Sequence, residues 1–111
     1  MTIYLSGRIT GKANYAEGFR ELARSCRKKF GDDVTLLDPT RHPPGLTPAE
    51  YMRLAFADID AADAVAFCRD WEESAGAQLE YRYARYTGKT VLEYWPWEEP
   101  DDDTGAETAG N

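Results

Sequence analysis

Four short apolar runs alternate with three segments of helical periodicity, and this order limits the fold more than any other feature of the chain. The runs lie at residues 2–6, 34–37, 64–67 and 90–94. The run at 64–67 has no polar interruption, which is typical of a strand covered on both faces. The βαβαβαβ order predicts a three-layer α/β fold, a Rossmann-like or flavodoxin-like parallel sheet of four to five strands with helices on both faces.

Capping signals set the expected ends of the helices. Gly31 follows the first helical segment, Thr47 and Glu50 flank Pro48 in the form of a capping box, and Ser74 is a good N-cap residue. Gly88 suits the position just after a helix. The predicted helices run from about 15 to 30, from 48 to 62 and from near 74 to 88, with a proline-rich loop over 40–46.

The charge is concentrated at one end of the chain. The net charge is −7, and six acidic residues lie after residue 97, where there is no Lys or Arg. We therefore divide the chain into one folded domain, 1–97, and a flexible acidic tail, 98–111. The folded part carries 14 acidic and 13 basic residues, so a nucleic-acid polymer is not an expected partner.

The two cysteines and the hydropathy indicate the compartment. Cys26 and Cys68 lie in apolar-periodic segments without metal-ligand spacing, and we expect both to be reduced core residues. No apolar run approaches the roughly 20 residues of a spanning helix, and no signal-peptide pattern is present. The sequence therefore predicts a cytoplasmic protein with no membrane partner.

Ligands of open parallel sheets bind outside the carboxyl ends of the strands, which here gather the loop at 7–14, the region after Asp38 and the loop at 69–76. The segment from Gly7 to Lys12 is one residue short of a Walker A loop and is followed by Ala13, which argues against an ATPase. It either forms only the strand-to-helix turn or presents backbone N–H groups, Arg8 and Thr10 to an anionic or sugar-bearing ligand.

The start of the third helix carries the most informative carboxylate. Gly76 leaves the helix start thinly covered, and Glu80 lies about one turn further on. Glu80 shares a helix face with small or aromatic residues, namely Ala77, Tyr83 and Ala84. It is either a reactive carboxylate in a packed site or a solvated residue that pairs with Arg82 or Arg85.

Five motifs, in order from Thr2 to about Leu92, resemble the nucleoside 2-deoxyribosyltransferase-like superfamily and, within it, the short, often phage-encoded DUF4406 branch. They are Tyr4-Leu-Ser-Gly7-Arg-Ile9-Thr, Glu50-Tyr-Met-Arg53, Ala62-Asp63, Trp71-Glu-Glu-Ser74-Ala-Gly76-Ala-Gln-Leu-Glu80 and Gly88-Lys89.

This resemblance implies an N-glycosidase, either a hydrolase or a deoxyribosyltransferase, that cleaves the base–sugar bond of a small nucleoside or nucleoside 5′-monophosphate. The glutamate matching Glu80 attacks the anomeric carbon, and Tyr4 positions it. Serine at the position of Ser74 is typical of the 5′-monophosphate hydrolases, which use it toward phosphate. By the same matching, three further residues border the sugar, the base or the phosphate: Gly7, Ile9 and Gly76.

Two positions depart from the pattern of the superfamily. An aspartate that assists at the sugar or the leaving base is replaced by Ala55, and Asp58, nearly one helical turn later, is either its substitute or a surface acid. The phosphate-side arginine of the hydrolases falls on Thr10, which leaves Arg8 as the nearby cation. The alternative function is therefore a weak or inactive nucleotide-binding module.

Several residues keep two interpretations. Trp71 either stacks on a base or packs, and Tyr94, Trp95 and Trp97 are expected to close the core or an interface. His42 is either a general acid–base group or an ordinary loop residue. No metal spacing is present, no cofactor is implied, and the resemblance implies a homodimer or higher homo-oligomer. A third reading is a phage accessory protein that acts through contacts of its acidic tail.

Overall fold

The computed structural model describes residues 1–9 and 13–92, and within them four parallel strands form one sheet. The strand order is β2-β1-β3-β4. The strands are β1 (Thr2–Ser6), β2 (Thr35–Leu37), β3 (Ala64–Phe67) and β4 (Thr90–Leu92). The helices are α1 (Tyr15–Phe30), α2 (Pro48–Ala61) and α3 (Ala75–Tyr86).

The helices cover both faces of the sheet because side chains alternate along the central strand. Ile3 and Leu5 pack in a core with Phe19 and Leu22 of α1. Tyr4 points to the opposite face, where its core includes residues of α2 and α3, namely Ala55, Ile59 and Ala84. The predicted three-layer α/β fold is confirmed.

The strand pairing places the ends of β1 and β3 side by side. Ser6 pairs with Phe67 in parallel register, and the backbone N–H of Cys68 donates to the Ser6 carbonyl over 2.8 Å. Every residue of β3 is buried. The last residues of β1 and β3 therefore meet at the carboxyl edge of the sheet. The strand order reverses direction between these two strands, which is where ligands of open parallel sheets bind.

The capping signals form as predicted. Thr47 and Glu50 make both bonds of a capping box ahead of Pro48, and Ser74 Oγ accepts from the Ala77 N–H over 3.1 Å at the start of α3. Gly31 and Gly88 take positive φ values after α1 and α3. Both helix ends thus use the residue without a Cβ where the backbone turns left-handed.

The structure differs from the predicted boundaries in small ways. β2 begins at Thr35 instead of residue 34, and two predicted loops contain one-turn 3₁₀ helices, Pro39–Arg41 and Trp71–Glu73. The prediction of β4 up to Tyr94 extends beyond the described residues, as do the predictions for Trp95, Trp97 and the acidic tail.

Two further predictions concern the core and the membrane. Cys26 and Cys68 are both buried and neither forms a disulfide, as predicted. Within residues 1–9 and 13–92, no helix has the length and apolar character needed to cross a membrane.

Candidate active site

Glu80 is a buried carboxylate at the carboxyl edge of the sheet. The Ser74 cap fixes the start of α3, which puts Glu80 on the second turn of the helix, in line with buried Ala77 and Ala84. Its residue exposure is only 2%. The alternative of a solvated glutamate paired with Arg82 or Arg85 is therefore wrong.

Ser6 holds this carboxylate, and the sequence analysis did not select it as a site residue. The Ser6 hydroxyl donates to Glu80 Oε1 over 2.5 Å in a fully buried hydrogen bond. Ser6 lies two residues after Tyr4 in β1, so both side chains project to the α2–α3 face. That alternation, with a serine at the end of an otherwise apolar strand, was the signal that could have identified it.

The environment of Glu80 changes its protonation. Burial raises the pKa of Glu80 from 4.5 to about 7, and the negative charge of Asp58 acts in the same direction. The hydrogen bond from Ser6 and the nearby Tyr4 hydroxyl oppose this change by stabilising the ionised form. Glu80 is thus a carboxylate that exchanges its proton near neutral pH.

Two tyrosine hydroxyls lie next to Glu80. Tyr4 is fully buried, and its Oη lies close to Glu80 and Tyr51 without a well-aligned hydrogen bond to any of the described residues. Burial, followed by the charge of Glu80, raises the pKa of Tyr4, and the same two causes raise the pKa of Tyr51 on α2. Both phenols are neutral donors at physiological pH, and the Tyr4 hydroxyl is a buried donor that a ligand can satisfy.

Glu80, Ser6, Tyr4 and Tyr51 form a polar cluster. Asp58 and His42 extend this polar cluster toward the loop before α2. His42 Nε2 lies 3.1 Å from Asp58 Oδ2, and the two side chains are 20% and 29% exposed. The His42 ring also stands edge-on to Tyr51, with 6.2 Å between the ring centroids. Asp58 is therefore neither a plain surface acid nor remote from Glu80, whose pKa its charge raises.

The start of α3 offers backbone donors on one side of Glu80. Ser74 is partly buried, and its hydroxyl already caps the helix by accepting from Ala77. A Cβ built on Gly76 would lie 3.5 Å from Met52 Cε and 3.8 Å from Ser74 Oγ, which are ordinary contacts. The protein itself does not require glycine at position 76.

The loop after β1 is only partly described, because Thr10 lies outside the described residues. A Cβ on Gly7 would lie 2.6 Å from Cys68 Sγ, so the close packing of the two strand ends requires glycine here. Arg8 forms an ion pair with Glu73 at 3.2 Å, and Ile9 packs against the core beside α1.

Trp71 packs within the protein. Its ring stacks on Tyr81, with centroids 4.7 Å apart and an interplanar angle of 18°, and it also contacts Phe67. Packing within the protein therefore covers at least one face of the Trp71 ring.

A different surface lies on the outer face of α1. An open groove of about 630 Å³ is lined by Arg20, Ala23, Arg24, Arg27, Lys28, Asp32 and Asp38. This lining does not include Glu80. Among the described residues no group of His, Cys, Asp and Glu is arranged to hold a metal ion.

Comparison with known proteins places this arrangement in a family. The model of a family described as a domain of unknown function, DUF4406, matches residues 1–93. The chain belongs to the DUF4406 family. No curated protein matches this DUF4406 chain.

A solved structure extends the comparison. The DUF4406 chain is similar to a 2-deoxyribosyltransferase from Leishmania mexicana, with a TM-score of 0.61 and 25% sequence identity. The match covers 82% of this chain and 61% of that enzyme, so the DUF4406 chain spans less than two thirds of its length. The predicted membership of the nucleoside 2-deoxyribosyltransferase-like superfamily, DUF4406 branch, is confirmed.

Position 55 distinguishes this DUF4406 chain from the pattern expected of the superfamily. Ala55 is fully buried in the core between α2 and the sheet. The acidic residue nearest in sequence is Asp58, on the next turn of α2.

Proposed function

We propose that the protein is an N-glycosidase that cleaves the base–sugar bond of a small nucleoside or nucleoside 5′-monophosphate, with Glu80 as the nucleophile. The observation that carries the proposal is the buried Glu80 carboxylate, held by Ser6 at 2.5 Å where β1 and β3 end. A buried glutamate that had no functional role would only lower the stability of the folded protein, because burying a charge is costly unless it is paired.

The chemistry follows from the position of the carboxylate. A Glu80 oxygen attacks the anomeric carbon, the C–N bond to the base breaks, and the electron pair leaves with the base nitrogen. The resulting glycosyl ester is opened by water in a hydrolase or by a second base in a transferase. Splitting one displacement into two lowers the barrier of each step.

The surroundings of Glu80 suit this role. A pKa of about 7 leaves much of the carboxylate ionised at neutral pH, and burial leaves it poorly solvated, which favours attack on a carbon with cationic character. Ser6 fixes one carboxylate oxygen. The Tyr4 hydroxyl, which makes no well-aligned hydrogen bond to the described residues, is a positioning group for Glu80 or for the sugar.

A phosphate at the sugar 5′ position fits the start of α3. Backbone N–H groups at a helix N-terminus bind anions, Ser74 adds a hydroxyl there, and the absent side chain of Gly76 permits close approach. Arg8 is a further cation on the same edge of the sheet, shared with Glu73. These features favour a 5′-monophosphate over an unphosphorylated nucleoside. Serine at position 74, by its resemblance to the 5′-monophosphate hydrolases, favours hydrolysis over transfer.

The alternative is a nucleotide-binding module with little or no turnover. Buried Ala55 favours it, because no carboxylate is available at the position where the superfamily has one. Both functions place the ligand at Glu80, so binding alone does not separate them.

Base release measured by chromatography tests the proposal. Wild type, Glu80→Gln and Glu80→Ala are incubated with a panel of nucleosides and 5′-monophosphates, and Glu72→Gln serves as a control because Glu72 is an exposed carboxylate just before α3. The proposal requires release by wild type and the control, and none by either Glu80 variant. Binding that raises the melting temperature without any release would favour the module.

The remaining expectations are parts of the same proposal. The ligand is a small molecule, no cofactor or metal takes part, and a homodimer or higher homo-oligomer in the cytoplasm is the working form. Size-exclusion chromatography with light scattering tests the oligomeric state directly.

A further inference from the structure

The proposed cleavage requires a proton for the departing base. The base nitrogen receives the electron pair of the broken C–N bond, and protonation in the transition state lowers the barrier. Glu80 cannot supply this proton while it acts as the nucleophile, and Ala55 has no titratable group. The donor must come from another residue of the polar cluster.

His42 and Asp58 form a pair with the geometry of such a donor. His42 Nε2 lies 3.1 Å from Asp58 Oδ2, so the carboxylate orients the ring. The edge-on contact with Tyr51 restrains the ring from a second direction. Both side chains are partly buried, at 20% and 29% exposure, and so remain within reach of a ligand.

The His42–Asp58 pair also lies near Glu80, the proposed nucleophile. Tyr51 lies beside both His42 and Tyr4, and the charges of Glu80 and Asp58 both act on its hydroxyl. Asp58 and Glu80 are close enough to interact electrostatically.

We propose that His42 is the proton donor to the departing base and that Asp58 is the positioning residue that holds it. This inference rests on the proposed function. Protonated His42 keeps its Nε2–H on Asp58 and transfers the Nδ1 proton to the base nitrogen as the C–N bond breaks and Glu80 bonds to the anomeric carbon. The step ends with neutral imidazole, a neutral base and a glycosyl ester.

The test compares two leaving groups on the same sugar 5′-phosphate: the base that wild type releases, and p-nitrophenolate, which departs as an anion without a proton. His42→Gln places an amide nitrogen near the position of Nε2 and keeps a donor for Asp58, but it cannot transfer a proton. Asp60→Asn is the matched control for Asp58→Asn, because Asp60 lies on the outer side of α2 and accepts from Tyr83 instead.

The expected result is selective. His42→Gln lowers base release by about 10²- to 10⁴-fold and leaves p-nitrophenolate release within about threefold of wild type. Asp58→Asn shows the same selectivity with a smaller loss, and Asp60→Asn changes neither rate.

Equal losses on both leaving groups, or no loss on either, would overturn the assignment of His42 while leaving the role of Glu80 intact. If wild type released neither group, the proposed function would be refuted, and the role of the pair with it.

Discussion

Replacing Glu80 by Gln tests the burial of its charge independently of any substrate. Gln has nearly the same size and retains an oxygen that can accept from Ser6, but it cannot ionise. Since burial raises the pKa of Glu80 from 4.5 to about 7, the folded protein prefers the protonated form. Below pH 4.5 the carboxyl is protonated in both the folded and unfolded states, and its contribution to stability is fully present.

That contribution is lost as the pH rises, because the unfolded chain ionises first. The loss of stability is complete above pH 7. Each unit between the pKa of 4.5 in the unfolded chain and about 7 in the folded protein is worth about 1.4 kcal/mol, so the total loss is about 3 kcal/mol. The free energy of unfolding of Glu80→Gln minus that of wild type should therefore increase by about this amount between pH 4.5 and 8.

Urea denaturation at pH 4.5, 6, 7 and 8 measures this difference in the free energy of unfolding. All other groups titrate alike in the two proteins, so their contributions cancel. Glu73→Gln is the control, since an exposed ion pair contributes little and its difference should stay within about 0.5 kcal/mol at every pH. A Glu80→Gln difference that is equally flat would refute the conclusion that this carboxylate is buried with a raised pKa.

Three further substitutions test the site and its packing. Ser6→Ala removes a hydrogen bond that lowers the pKa of Glu80, so the rise of kcat/KM with pH should move to higher pH in a pH–rate profile, and movement to lower pH would contradict the role of this bond. Gly7→Ala places a Cβ 2.6 Å from Cys68 Sγ, and urea denaturation should show a loss of about 1–3 kcal/mol, whereas unchanged stability would mean that the strand ends can separate. Gly76→Ala meets no atom closer than 3.5 Å, so stability should be unchanged or up to about 1 kcal/mol higher, while KM should rise for a 5′-monophosphate and not for the nucleoside. Equal KM values for wild type and this variant would place the phosphate elsewhere.

The fold was predictable because local signals agreed with one another. The capping box at Thr47, the cap at Ser74 and the uninterrupted run in β3 each fixed an element without reference to the rest of the chain. The two 3₁₀ turns were missed because a single turn of three residues has no periodicity to detect.

The site was predictable only in part. Glu80 could be selected, because a carboxylate among small and aromatic residues is unusual, but spacing did not show whether it was buried. Ser6 and the pairing of His42 with Asp58 depend on contacts between distant parts of the sequence. Gly7 is predicted from the resemblance to border the sugar, but no sequence pattern indicates its close contact with Cys68, which arises from how two parallel strands end together.

The central position of β1 has a consequence for synthesis of the protein. β1 is made before both of its neighbours, β2 and β3, and it pairs with each of them. A nascent chain that stops short of residue 64 therefore exposes one backbone edge of an apolar strand, and such edges pair readily with other chains. Slow translation between β2 and β3 should increase the demand for chaperones on this protein, and substitutions that delay β3 should reduce its soluble yield before they reduce its measured stability.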